Sequence, residues 1–335
     1  MATNVGTIGF AHATTRRWLA LAGIASLLLL VLARASGVTD VAVAQTFTII
    51  FTAIVVEALP FVLLGAVVSA AIEVYVSDDV LGRVTRLPAA LQLPAAALGG
   101  FAFPVCECGS VPVARRLMRR GMHPGAGIAF MLASPIFNPI VLLATWVAYS
   151  PRGLGMQMVA GRALLGLVVA LATGWALGGE AIERLLRSDV QQGGPPARAG
   201  SSRRLGSFFE HLNGDFFFMG KFLVVGAALS AAFQTLLPQS LVAGVARSAV
   251  VGTLALMAIA YVSSLCSEAD AFVAVSFSQF GLGSQLAFLV FGPILDFKLT
   301  FLYGAAFRQR FVGTLVVVAV PLVLAGALVF EVVIR

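Results

Sequence analysis

Two short stretches of this chain carry side chains that an apolar run does not normally hold. The first is Cys106-Glu107-Cys108, and the second is Cys266-Ser267-Glu268-Ala269-Asp270. Thiolate together with carboxylate suits Zn²⁺, and a more thiol-dominated set suits Cu(I) or trivalent arsenic. Each residue alone has a plainer reading. A cysteine in a membrane is a small apolar side chain, and Glu268 and Asp270 could stand at a helix N-terminus, where the dipole favours an anion. The combination is more specific, because all three cysteines of the chain, Cys106, Cys108 and Cys266, fall in these two stretches beside carboxylates. Carboxylates inside apolar segments are costly and mark ion or proton pathways. The expected substrate or metal ligands are therefore Cys106, Glu107, Cys108, Cys266, Glu268 and Asp270.

A supporting set follows from proline. Pro104 and Pro112 flank the first stretch, and with Gly109 between them the spacing argues against continuous helix there. Backbone freed from a helix at membrane depth is tolerated only where protein or a water-filled cavity satisfies it, and its carbonyls can bind cations. Ser134-Pro135-Ile136-Phe137-Asn138-Pro139 and Gly292-Pro293-Ile294-Leu295-Asp296-Phe297-Lys298 repeat the theme. Asn138 and Asp296 would offer side-chain oxygen near freed carbonyls, and Lys298 is placed to pair with Asp296. Glu57, three residues before Pro60, is a further buried-carboxylate candidate or an interfacial residue. Arg115, Arg116, Arg119 and Arg120 read as a topology anchor. His12, His123 and His211 form no metal spacing, and no histidine is placed to activate a thiolate. No phosphate-binding loop is present either. The chain reads as a protein that is not an enzyme and has no cofactor, with a metal only as substrate and its energy drawn from a gradient or a partner.

The elements that must hold these residues are membrane helices. The 335 residues are 59% hydrophobic and 11% charged, against about 25% charged in soluble domains, and the mean hydropathy is +0.98. Too few polar side chains exist to cover a water-facing surface, so the bilayer is the principal partner. The net charge of +7 sits in short basic runs between apolar segments. That follows the positive-inside rule and not the basic, aromatic-interleaved face of a nucleic-acid binder. Apolar segments lie at about 18–33, 44–76, 89–105, 124–149, 157–178, 215–236, 246–265, 284–306 and 312–333. Arg16-Arg17 ahead of the first resembles a twin-arginine signal, but an uncleaved first helix is the simpler reading. The division is a 1–40 region with that helix, a first membrane repeat over 41–179, a cytoplasmic linker over 180–212 and a second repeat over 213–335.

The two repeats are visible in the letters. Gly65-Ala66-Val67-Val68-Ser69-Ala70-Ala71 returns as Gly226-Ala227-Ala228-Leu229-Ser230-Ala231-Ala232, Cys106 returns as Cys266, and Pro135-Ile136-Phe137-Asn138 returns as Pro293-Ile294-Leu295-Asp296. Three correspondences in order at nearly constant separation argue for duplication. If 89–120 and 246–280 are same-side hairpins, then Arg83, Arg86, the arginines of 115–120, the linker, Arg308 and Arg310 all fall inside. Each repeat then crosses three times, so the two are inverted. The predicted fold is all-α and polytopic, with two inverted repeats containing discontinuous helices or re-entrant hairpins, a design common in secondary transporters.

The segments Pro104-Val105-Cys106-Glu107-Cys108-Gly109-Ser110-Val111-Pro112 and Ser134-Pro135-Ile136-Phe137-Asn138-Pro139 resemble a bacterial predicted-permease family. Leu265-Cys266-Ser267-Glu268-Ala269-Asp270 and Gly292-Pro293-Ile294-Leu295-Asp296 match the second half of its pattern. That family includes organoarsenical efflux permeases and members assigned to copper or zinc efflux. The Cys-Glu-Cys-Gly version is often accompanied by a smaller membrane subunit, whereas many relatives carry Cys-Ser-Cys-Gly. Glu107 therefore shifts the donor set towards a harder metal than an arsenical. The resemblance, covering about 45–335, implies an inner-membrane, multi-pass permease for a thiophilic metal or metalloid, working in efflux. The alternative is a subunit that needs a partner for transport, or that serves sensing or assembly. The associations to expect are that small partner and copies of the chain itself.

Overall fold

The computed structural model describes residues 41–76, 88–102, 105–179, 185–186, 201–236 and 248–334. The expected helix over 18–33, Pro104, Arg83, Arg86 and most of the predicted linker lie outside the described residues. Among those described there are twelve α-helices and no strand. The first six are α1 (Val41–Tyr75), α2 (Ala89–Ala102), α3 (Glu107–Arg119), α4 (Pro124–Ala133), α5 (Pro139–Tyr149) and α6 (Gly155–Gly178). The second six are α7 (Ser201–Leu236), α8 (Ala249–Ser263), α9 (Asp270–Ser276), α10 (Leu282–Phe291), α11 (Phe297–Ala306) and α12 (Gln309–Ile334).

Each set runs long, four short, long. Among the described residues only α1, α6, α7 and α12 contain a stretch long and apolar enough to cross a membrane. Helices of 10 or 11 residues, such as α4, α5, α10 and α11, rise about 15 Å at 1.5 Å per residue. That is half of a ~30 Å hydrocarbon core, so each apolar run of crossing length that contains them is interrupted part-way. Lipid is the outer solvent. Trp175 is 80% exposed and Val317 72% exposed on helices of uninterrupted apolar character.

The packing has the same plan in both sets. Helix α4 lies against α2, α3 and α6, while α10 lies against α8, α9 and α12. The sets join through α1 on α7 and α6 on α12, and through α3 on α11 and α5 on α9. Two glycines set the closeness of this core. A Cβ on Gly65 of α1 would overlap Gly109 Cα of α3, and one on Gly226 of α7 would overlap Lys298 Cα of α11. Both contacts bring a long helix onto backbone that flanks the candidate ligands.

Three local expectations need revision. Pro112 does not break the chain but lies inside α3. The interruption comes before Glu107, and the cost of Pro112 is confined to the carbonyl of Cys108, four residues back, which loses its helical donor. Asn138 and Asp296 have a first role that the spacing did not suggest. Asn138 Oδ1 accepts from the Ile140 N–H at 2.9 Å and Asp296 Oδ1 from the Leu299 N–H at 2.6 Å, so they cap α5 and α11 and satisfy orphan donors. Finally, α7 begins at Ser201, inside the stretch predicted as linker.

Candidate cation and thiol site

The first interruption ends at Cys106, the N-cap position of α3, so Glu107 and Cys108 begin the helix. The second runs from Ser264 to Ala269, between α8 and α9. Ser264 closes α8 in the left-handed region at φ 48°, a conformation disfavoured by roughly 1–2 kcal/mol for an L-residue with a Cβ. It turns the chain so that the carbonyls of Ser264 and Leu265 point towards Lys298. Cys106, Glu107, Cys108 and Cys266 are all 3% exposed or less.

Lys298, the second residue of α11, joins the two interruptions. Its Nζ lies 2.8 Å from Glu107 Oε1 and 3.5 Å from Asp296 Oδ2. It donates to the carbonyls of Ser264 and Leu265 at 3.0 and 3.2 Å and to Cys266 Sγ at 3.9 Å. The predicted pairing of Lys298 with Asp296 is present, but Glu107 is the nearer carboxylate. Ser267 adds a second bridge, its Oγ donating to Glu107 Oε2 at 3.2 Å and to Glu268 Oε2 at 3.4 Å. Glu268 Oε1 is buried without a hydrogen-bond partner among the described residues. Glu57 on α1 is close enough for its charge to act on Glu107 and Lys298.

Arg162 is a functional residue that the sequence reading did not single out. The structure buries it completely on α6. It donates to both carboxylate oxygens of Asp270, at 2.8 and 2.7 Å, to Thr145 Oγ1 at 2.9 Å and to the Ser267 carbonyl at 3.1 Å. A guanidinium has the fork geometry for such a bidentate pair. The available signal was an arginine within the apolar run 157–178, the same kind of signal that singled out Glu57. Asp270 is thus occupied by a permanent cation, whereas Glu107 and Asp296 face a lysine and Glu268 accepts from the Ser267 hydroxyl.

Of the predicted ligands, Glu107 and Cys266 both lie against the Lys298 ammonium, Ser267 bridges Glu107 to Glu268, and Arg162 holds Asp270. They do not form a ready cage. Among the described residues no three His, Cys, Asp or Glu side chains sit at metal-ligating spacing. Asn138 caps α5 and Pro112 lies within α3. The arginines of α3 are more than topology anchors. Arg116 pairs with Asp215 of α7 at 2.8 Å and with Glu73 of α1 at 3.3 Å. Ser69 Oγ donates to the same Asp215 oxygen at 2.7 Å, and Arg115 stacks over Phe218 at 5.5 Å.

Residues 43–332 match the family described as "Predicted permease". The chain belongs to the predicted permease family. The permease is 40% identical over 284 residues to the UPF0718 protein YcgR of Bacillus subtilis, covering 84% of this chain and 96% of that one. It is 31% identical over 266 residues to a Streptococcus mutans protein named a putative two-component membrane permease complex subunit, covering 78% and 87%. No solved structure matches the permease. With its family and its long apolar helices together, the permease is a multi-pass membrane protein, and the ion pairs described above lie among its interrupted helices.

Proposed function

We propose that this permease carries a thiophilic metal or metalloid, of the Zn/Cu type or an arsenical, outward across the inner membrane, driven by an ion gradient. The observation that supports this reading is the Lys298 ammonium held between Glu107, which follows the first interruption, and Cys266 within the second. Carboxylate and thiol from both halves meet at one buried point, where a cargo can be released to either side if the halves move. Inverted repeats would supply that motion by rocking one set of six helices against the other, and the matching packing of α4 and α10 supports such a relation.

The test is flux in proteoliposomes containing this chain alone, with Zn²⁺, Cu⁺ and a trivalent arsenical offered separately under an imposed pH gradient. Uptake of one of them, abolished by Cys106→Ser with Cys266→Ser, is the expected result. No flux of any cargo, even with a partner subunit added, would sink the reading. A second reading has its own observation, the naming of the S. mutans relative as a subunit of a two-component complex. Under it, flux appears only once the smaller partner is co-reconstituted.

A further inference from the structure

The surroundings of Lys298 are those of a cation site. Five acceptors from three stretches of chain converge on its Nζ, namely Glu107 Oε1, Asp296 Oδ2, Cys266 Sγ and the carbonyls of Ser264 and Leu265, all within 3.9 Å. An ammonium has only three N–H groups. Five acceptors exceed these three donors, and the contacts of Nζ with Glu107 Oε1 and Asp296 Oδ2 lack hydrogen-bond geometry. Against the ammonium these two oxygens are thus held by charge alone, while the other oxygen of each carboxylate is anchored, Glu107 Oε2 by the Ser267 hydroxyl and Asp296 Oδ1 by the Leu299 N–H. The Arg162–Asp270 pair, bidentate through both terminal guanidinium nitrogens, shows the contrasting design a few residues away.

Residue choice and charge point the same way. Of the 22 Lys+Arg residues only Lys221 and Lys298 are lysines. Lysine presents a compact point charge on a flexible stem, whereas arginine presents a planar fork, so lysine is the side chain that mimics a bare cation. Four buried or half-buried carboxylates, Glu107, Glu268, Asp270 and Asp296, share this region with two cationic groups, Arg162 and Lys298. Ionised together, they leave an excess of negative charge that a low-dielectric interior does not hold without a further cation or protons.

We infer that the shell of Glu107, Asp296, Cys266 and the Ser264 and Leu265 carbonyls is a cation site, occupied in this state by the protein's own ammonium, and that cargo enters it by displacing Lys298. This deepens the permease reading and rests on it. The shell selects a divalent, borderline-soft cation, because its donors mix carboxylate and carbonyl oxygen with one thiol. A neutral trivalent arsenical has no charge with which to compete for Glu107 and Asp296.

The test uses the full chain purified in detergent, with Zn²⁺ alone as the cationic probe and phenylarsine oxide as the uncharged thiol probe. Removing the resident competitor by Lys298→Met should tighten Zn²⁺ binding at least about tenfold and leave phenylarsine oxide binding unchanged. Equal or weaker Zn²⁺ binding by folded Lys298→Met overturns the inference. Should that variant not fold, the wild type decides through reductive methylation followed by mass spectrometry, with Lys221 as internal reference. Labelling of Lys298 that rises on saturation with Zn²⁺ supports displacement, and labelling unchanged while Zn²⁺ binds overturns it. Phenylarsine oxide binding and flux without any Zn²⁺ binding would also overturn the cation site while leaving the permease reading intact.

Discussion

Arg162 and Asp270 hold each other by two parallel hydrogen bonds of 2.8 and 2.7 Å, with the guanidinium fully buried between α6 and the start of α9. Two charges removed from water cost several kcal/mol each, which good geometry largely offsets. Asp270 is therefore committed to Arg162, and its part in the site is to keep the Ser264–Ala269 interruption in place. Asp270→Asn should destabilise the permease by about 3–5 kcal/mol, because it leaves a buried cation uncompensated. Arg162→Met with Asp270→Leu should recover most of that loss. Denaturant unfolding in detergent measures both, and flux normalised to folded protein should stay intact in Asp270→Asn. A flux loss exceeding the loss of folded protein would return Asp270 to the transport chemistry.

Glu268 has the opposite character. It is half-buried, its Oε2 accepts only a long hydrogen bond from Ser267, and its Oε1 has no hydrogen-bond partner among the described residues. A carboxylate with spare acceptor capacity beside buried thiols can take the protons that cysteines release on binding a metal. Glu268→Gln should block gradient-driven flux at saturating cargo, while Cys266→Ser should mainly weaken affinity. Wild-type flux from folded Glu268→Gln in proteoliposomes under a pH gradient would end the proton-relay idea.

Two glycines on one helix give a steric prediction. A Cβ at Gly220 meets nothing within 4 Å, whereas one at Gly226 overlaps the backbone of Lys298. Gly220→Ala should be neutral or mildly stabilising, as expected for Gly→Ala within a helix. Gly226→Ala should cost about 1–3 kcal/mol by overpacking and also lower flux per folded molecule, since it pushes Lys298 away from Glu107. Thermal unfolding and flux on the same preparations check both, and equal behaviour of the two variants would contradict the close approach of α7 and α11.

Arg116 predicts a stability effect without a site effect. It joins Glu73, Asp215 and, through Asp215, Ser69, so α1, α3 and α7 meet at one guanidinium. Asp215→Asn should cost about 1–3 kcal/mol, the range for leaving a buried polar group short of its partner. High salt should change this little, because a pair 9% and 13% exposed is weakly screened. Melting curves of wild type and variant at two ionic strengths provide the check.

Much of the permease was legible in one dimension. An excess of apolar residues announces lipid as solvent, because composition alone decides whether a surface can meet water. The interruptions were legible too, since prolines, thiols and carboxylates are costly in an apolar run and stand out wherever they occur. Their return in the same order pointed to the second stretch of interest, Cys266 to Asp270, from the letters alone. Local reading went astray at Pro112, which α3 accommodates, and did not foresee that Asn138 Oδ1 and Asp296 Oδ1 cap helix N–H groups.

The tertiary structure alone decided which charges meet. Nothing in the spacing of Glu107, Arg162, Asp270 and Lys298 pairs the first with the last and the middle two with each other, because each contact spans several helices. That choice is made where α3 meets α11 and where α6 and α5 meet the start of α9. The closeness that makes it possible comes from bare backbone at Gly65 and Gly226. Sequence patterns record what each residue costs in lipid, but the partner that offsets a buried charge is set by how the helices pack.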